Sequence, residues 1–262
     1  MNAGKLNLNT TVLKATQALD LFDQNVTELP ITKIAEMMEM PLSTTHRLLA
    51  TLVYAGLLSQ NPDNGRYRLG VKCFLLGNRV PLTEQLREAS LASITELSKR
   101  YGETVNLVVS NGETGIIAIA QAKAHNSSFT PGLNSGSSNE VQVTACGKCL
   151  LAYMRPQELE NTVSALRFTR FTENSIVTPQ QLYEQLDLVR ERGYATEYEE
   201  GERGRYCCGV PIFVDSRCIA ALSISIPTVR LTMPEAELVA NLKRAAHTIE
   251  SSLLHMRSLP ER

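Results

Sequence analysis

The sequence predicts an α+β protein: an N-terminal winged helix-turn-helix, a short linker helix, and a larger C-terminal domain of helices with an antiparallel sheet. Three observations carry this reading. Between residues 31 and 56, two apolar stripes at helical spacing are split by Pro41. An Asn64-Gly65 pair then falls between two short alternating segments. Beyond Gly102 the apolar period changes from that of a helix to two.

Residues 1–10, rich in Asn and Thr, read as a flexible leader. Val12, Leu13, Ala15, Ala18, Leu19 and Phe22 then recur at helical spacing, with Lys14 on the opposite side. The next helix carries Ile31, Ile34, Ala35 and Met38, with Thr32 at its expected N-cap. Pro41 ends that helix by disfavouring the helical conformation at Met40. Ser43 or Leu42 opens a further helix with Leu48, Leu49, Leu52 and Val53 on its apolar side, and Gly56 closes it. Its first turn and a half, Ser43-Thr-Thr-His-Arg47, is polar and free of acid, as expected of a recognition helix that meets base edges in the major groove. Leu57–Gly70 reads as a hairpin turning at Asn64-Gly65, with Arg66 and Arg68 on one face of its second strand. Helix, helix-turn-helix and basic hairpin in this order make a winged helix over residues 11–70. The expected DNA-contacting residues are Lys14, Thr32, Ser43, Thr44, Thr45, His46, Arg47, Asn64 through its backbone, Arg66 and Arg68.

Residues 71–81 read as a linker helix with Phe74 and Leu75 prominent, broken at Pro81. From there to residue 262 the chain forms the second domain. Leu82–Tyr101 is an amphipathic helix with Leu86, Leu91, Ile94 and Leu97 on its apolar side. Thr104–Ser110 and Gly115–Gln121 are strands joined as a hairpin, and the Gly/Ser/Asn-rich stretch His125–Asn139 is a loop. A small-residue helix follows from Thr144 to Tyr153, then an amphipathic helix from Pro179 to Arg192, capped by Thr178 and ended by Gly193. Strands at 194–199, 206–213 and 218–226 precede a last helix from Pro234 to about Met256.

Composition bounds the function. With 43% hydrophobic and 20% charged residues the chain is globular, and no apolar run nears the ~20 residues of a membrane span. A cytoplasmic protein with no membrane partner is expected. The net charge of −1 divides into +2 over residues 1–80 and −3 beyond, which suits a polyanionic partner for the first part. Six cysteines, irregularly spaced, do not form a disulfide framework.

The stretches Leu42-Ser-Thr-Thr-His-Arg-Leu-Leu49, Asn64-Gly-Arg-Tyr-Arg-Leu-Gly70 and Gly102-Glu-Thr-Val-Asn-Leu107 resemble those of IclR-type bacterial transcriptional regulators. So do Ala145-Cys-Gly-Lys148, Arg190-Glu-Arg-Gly-Tyr194, Cys207 ahead of Val210-Pro211, and Ala221-Leu-Ser-Ile-Ser-Ile226. The resemblance spans essentially the whole chain. It implies a winged-helix domain that dimerises, a linker helix and a GAF-like C-terminal effector domain, often assembled as a dimer of dimers. It also implies small carboxylates, sugar acids or aromatic acids as effectors.

A small acid needs donors for its carboxylate. The start of the Ala145–Tyr153 helix offers backbone N–H groups and a positive dipole end, with little bulk at Ala145, Cys146 and Gly147. The resemblance carries the family's pocket onto Asn139, Ala145, Cys146, Glu197, Arg205, Cys207, Ser223 and Ser225. Asn139-Glu140-Val141, Glu197 and Arg205 depart from the usual pattern toward polarity, which favours a hydroxylated acid such as a sugar acid. The alternative for Arg205 is that it points to solvent and pairs with Glu202 or Glu200. Two readings compete with a regulator: a zinc or thiol sensor built on Cys146-x-x-Cys149 with Cys207-Cys208, and an enzyme using Cys207. Adjacent strand cysteines point to opposite faces, and no histidine has a motif beside Cys207, so no metal, cofactor or catalytic residue is expected.

Overall fold

The structure, a computed structural model, describes residues 8–22, 26–77, 79–80, 83–112, 114–123 and 139–258. The chain forms two compact units, Met1–Pro81 and Leu82–Arg262. The leader expected over 1–10 lies outside the described residues up to residue 7, as does the Gly/Ser/Asn-rich stretch over 124–138.

In the first unit α1 spans Thr10–Asp20, and the Asn9 side chain accepts from the Thr11 and Val12 N–H groups at its start. Val12 and Leu13, expected in the core, are exposed, and burial on this helix concentrates at Ala18. The helix pair is α2 (Ile31–Met37) and α3 (Leu42–Tyr54). Prolines Pro30 and Pro41 take the N-cap positions, so Thr32 lies inside the first turn of α2 rather than capping it. Gly56, at φ +76°, ends α3: its N–H donates to Val53 O and that of Leu57 to Leu52 O, a pairing that requires the left-handed residue. The wing pairs β1 (Leu58–Gln60) with β2 (Tyr67–Leu69), antiparallel. Asn64-Gly65 is not a two-residue turn; the connection runs from Asn61 to Arg66, closed by Asn61 N–H to Arg66 O at 2.8 Å, with Gly65 at φ +68°. Ala18, Phe22, Leu29, Ile34, Leu49, Leu52, Leu58 and Tyr67 form the core of this unit. Helix α4 (Val71–Gly77) has no buried residue.

The second unit begins with α5 (Thr83–Tyr101), whose buried side includes Leu86, Ile94 and Leu97 together with Ser90, Ser93 and Ser98. Leu91, expected among them, is exposed, because it lies about 140° around the helix from Leu86. The strands are β3 (Thr104–Ser110), β4 (Gly115–Ala122), β5 (Asn139–Glu140), β6 (Ala195–Tyr198), β7 (Arg205–Val214) and β8 (Arg217–Pro227). They form one antiparallel sheet in the order β5-β4-β3-β8-β7-β6. Between β5 and β6 come α6 (Ala145–Ala152), α7 (Pro156–Ala165) and α8 (Pro179–Arg192), and after β8 comes α9 (Glu235–Ser258). The α7 segment escaped the sequence pattern because just Leu159 and Val163 mark its buried side.

The alternation along the strands divides the sheet into two faces. Val105, Leu107, Tyr206, Cys208, Val210, Leu222, Ile224 and Ile226 pack with α5 and α9. On the other face, Val108, Cys207 and Ala221 share a cluster with residues of α6, α7 and α8. Asn106, Ser223 and Ser225 follow the same alternation onto this α6 side.

Candidate functional site

The first candidate surface lies on the winged helix. Ser43, Thr44, His46 and Arg47 are exposed at the start of α3. Thr45 departs from the expectation: it is fully buried, and its hydroxyl donates to Pro41 O at 3.1 Å. At about 100° per residue it points roughly opposite to the arc through Ser43, Thr44 and Arg47. Lys14 and Thr32 are exposed on α1 and α2.

On the wing, Asn64 and Arg68 serve a partner that the sequence pattern did not single out. Asn64 Nδ2 donates to Glu28 Oε2 at 3.1 Å and Asn61 Nδ2 to Oε1 at 3.0 Å. Arg68 Nη1 lies 3.4 Å from Glu28 Oε1, and its Nε donates to Ser59 Oγ at 3.2 Å. The Asn64 and Asn61 hydrogen bonds, assisted by Arg68, hold the Glu28 carboxyl below its ordinary value. Asn64 Oδ1 also accepts the Arg66 N–H at 2.8 Å, so the Asn64 side chain is spent in shaping the wing. Arg66 is exposed.

The second candidate site lies on the α6 side of the large sheet. Thr144 caps α6 by accepting the Gly147 N–H at 3.0 Å. The Gly147 amide is therefore committed within the protein. A Cβ at that position would also collide with Val141 O, which explains the glycine without reference to a ligand. The N–H groups of Ala145 and Cys146 have no acceptor inside the helix. A Cβ at Gly209 on β7 would meet Ala145 and the Cys146 amide at 3.2–3.3 Å, so the first turn of α6 lies directly on the sheet there.

Across this face the strand register draws most of the expected residues together. Ser225 pairs with Cys207, and Cys207 with Glu197; one row over, Ser223 pairs with Gly209. Cys207 Sγ and Ser225 Oγ are 3.2 Å apart, and Cys146 Sγ donates to Ala221 O at 3.8 Å on the same strand as Ser223. Glu197 and Arg205 join this group already paired with each other, and Arg205 also makes the ion pair with Glu202 that its alternative reading expects. Glu197 Oε1 accepts the Glu200 and Gly201 N–H groups at 2.8 and 3.2 Å, and Oε2 accepts Arg205 Nε at 3.1 Å. Arg205, buried, also reaches Glu202 at 3.3 Å. The Glu197 carboxylate thus braces the turn after β6 instead of standing open to a ligand. Asn139 lies in β5 at the far edge of the sheet, paired with Ile116, and its side chain is outside the described residues.

Three further residues here were not singled out by sequence pattern. Lys148 is wholly buried on α6, with Nζ 2.6 Å from Glu200 Oε1. Burial pushes the Glu200 carboxyl above its ordinary value, and Lys148 opposes that rise. Asn106 on β3 is also wholly buried. A lysine following three small residues in a buried helix, and an asparagine amid strand hydrophobics, were the available signals.

The five thiols of the second unit are held in the protonated form by burial. Burial pushes Cys146, Cys208 and Cys218 up to about 12, and Cys149 and Cys207 well above the usual thiol range. A nucleophile or zinc ligand must be a thiolate. Among the described residues no group of three or more His, Cys, Asp or Glu is placed to hold a metal ion. No described helix is long and apolar enough to cross a membrane.

A winged helix-turn-helix with an exposed polar recognition turn, followed by a second domain with a buried polar row, defines a two-domain DNA-binding regulator. The chain belongs to the IclR family of bacterial transcriptional regulators: residues 11–62 match the IclR helix-turn-helix domain and residues 82–251 the bacterial transcriptional regulator IclR C-terminal domain. It is 38% identical over 223 residues to the HTH-type transcriptional regulator XynR of Escherichia coli, covering 84% of this chain and 87% of that one. Among solved structures it resembles the Thermotoga maritima IclR, at 28% identity and a TM-score of 0.69 over 93% of this chain and 98% of that one. An IclR homolog from Microbacterium hydrocarbonoxydans, solved with 4-hydroxybenzoate, shares the fold at a TM-score of 0.83 and 24% identity, covering 94% of this chain and 99% of that one.

Proposed function

We propose that this regulator controls a carbohydrate or sugar-acid catabolic operon from the cytoplasm as a repressor, and that a small hydroxylated carboxylate bound in the C-terminal domain sets when it binds its operator. The observation that carries this reading is the buried polar row beneath α6. The Ala145 and Cys146 amides suit a carboxylate, and Ser223, Ser225 and the Cys207 thiol suit hydroxyls, within a surround that is otherwise apolar. Arg205 and Lys148 add positive charge, though each is already paired with a carboxylate. In the other unit, Ser43, Thr44, His46 and Arg47 read bases in the major groove, while Arg66 and Arg68 on the wing and Lys14 and Thr32 beside it meet phosphates.

The protein acts as a homodimer or a dimer of dimers. Support comes from α4, where Val71, Phe74, Leu75 and Leu76 are 75, 65, 50 and 46% exposed on a helix of seven residues. So much uncovered apolar surface on one short helix suits burial against a second copy. Residues 71–81 then serve as the linker through which effector binding biases the DNA-binding units, a shift that requires the acid to bind one arrangement better than the other.

A thermal-shift screen tests the effector reading. A ligand held by the native state alone raises stability by about 2.7 kcal/mol at a hundredfold excess over its Kd. D-gluconate or D-galacturonate should raise the melting temperature by several degrees. The hydroxylated aromatic acid held by the Microbacterium relative favours a second class, so 4-hydroxybenzoate belongs in the same screen. A shift with that acid alone would replace the sugar acid by an aromatic one.

A further inference from the structure

We propose that Asn106, oriented by Gln121, is an effector-contacting residue that selects for a hydrogen-bond acceptor on the bound acid. The proposal rests on the reading of the α6 side of the sheet as the effector site, and adds to it a residue on a strand, β3, that contributes none of the expected pocket positions.

Asn106 sits in the interior of β3 with no exposed surface. Its Oδ1 accepts from Gln121 Nε2 at 2.7 Å, whereas its Nδ2 is buried with no hydrogen-bond partner. A buried amide donor left unmatched is unfavourable, and native interiors seldom keep one without a reason. The strand register supplies the reason. Asn106 stands directly between Gln121 on β4 and Ser223 on β8. Residues opposite one another across a sheet share a face at about 4.5–5.5 Å between Cβ atoms. With Oδ1 turned to Gln121, the planar amide directs Nδ2 away from β4, to the side where Ser223 lies. Ser223 pairs with Gly209, against which the first turn of α6 lies, and the backbone donors of that turn lack acceptors within the helix. An oxygen of an acid held at that turn would complete the Asn106 amide.

Gln121 fixes the polarity of the contact. Because its donor is given to Oδ1, the remaining arm of Asn106 is held as a donor, so the position reads a carboxylate or hydroxyl oxygen and rejects an ammonium or amide N–H. Ser223 and Ser225 can donate or accept and do not discriminate in this way. The Asn106 amide is therefore the element of the row that distinguishes an acid or polyol from a polar ligand of opposite hydrogen-bonding sense.

The test uses the full-length protein, with D-gluconate, D-galacturonate, glycolate and 4-hydroxybenzoate as probes, read by calorimetric titration and by unfolding without ligand. Three variants are compared: Asn106→Leu, Asn106→Asp and Ser223→Ala. Asn106→Leu removes an unmatched donor but also takes the acceptor from Gln121 Nε2, so the expected result is a folded protein with at most a modest loss of ligand-free stability that binds the acid at least tenfold more weakly. Asn106→Asp, which faces the acid with a like charge, should abolish binding, and Ser223→Ala should weaken it. If Asn106→Leu and Asn106→Asp bind as the wild type does while Ser223→Ala does not, the role of Asn106 is overturned and the site reading stands. A marked loss of ligand-free stability in both Asn106 variants would assign the amide a structural role and also overturn the proposal. If the wild type takes none of the four acids, the acid-binding reading itself falls, and this proposal with it.

Discussion

Arg47 is the side chain on α3 whose removal should separate the two halves of the function most cleanly. It is exposed beside Ser43 and Thr44, and a bidentate arginine contact to a base is worth about 1–3 kcal/mol of discrimination. Arg47→Ala should therefore weaken operator binding by roughly tenfold to a hundredfold in gel-shift titrations, while the stabilisation given by an acid stays as in the wild type. Unchanged gel-shift affinity would remove Arg47 from the interface. The neighbouring positions show where pattern suffices and where it does not. Polarity alone placed Thr45 with its neighbours, yet the helical angle turns it into the core, where Pro41 O satisfies its hydroxyl. The same limit applied to Glu28: nothing local marks it, because its partners Asn61, Asn64 and Arg68 lie 33 to 40 residues away.

The secondary elements were readable wherever caps and periodicity agreed. Helix α8 matches its expected range because Thr178, Pro179 and Gly193 mark both ends, with the Thr178 hydroxyl accepting the Gln181 N–H and Gly193 at φ +72°. Helix α7 offered two buried apolar residues in ten and was missed. Helix α6 was recognised, but not the ion pair beneath it. Its buried Lys148 needs Glu200, which is 52 residues distant and unmarked by any motif. That pair yields a sharp expectation. Lys148 is wholly buried and the Glu200 side chain is 12% exposed, so deleting one charge strands the other; such losses run to about 3–5 kcal/mol, whereas apolar replacement of a whole pair is often near neutral. Lys148→Met should lower the urea midpoint severely, and Lys148→Met with Glu200→Gln should recover at least half of the loss. A double variant no more stable than Lys148→Met would mean that the pair does not act as a unit.

At the level of the assembled molecule, recognition of an operator depends on how many DNA-binding units act together. Two linked binding events gain an effective concentration that can raise overall affinity by about 10²–10⁴ over one unit alone. The proposed dimer assigns such a link to the apolar surface of α4, where Phe74 is 65% exposed on a helix of seven residues with no buried residue. Phe74→Glu places a charge in that surface, where a buried and unpaired carboxylate would oppose association. The variant is expected to shift toward the monomer in sedimentation velocity and to lose about a hundredfold in operator affinity, with each unit still folded, since Phe74 contributes nothing to the buried core of Ala18, Leu49 and Leu52. Acid binding should survive, because the polar row lies wholly within residues 82–262. A variant that keeps both its sedimentation coefficient and its operator affinity would show that the copies meet elsewhere, and that α4 is not the seam through which the two DNA-reading units are held together.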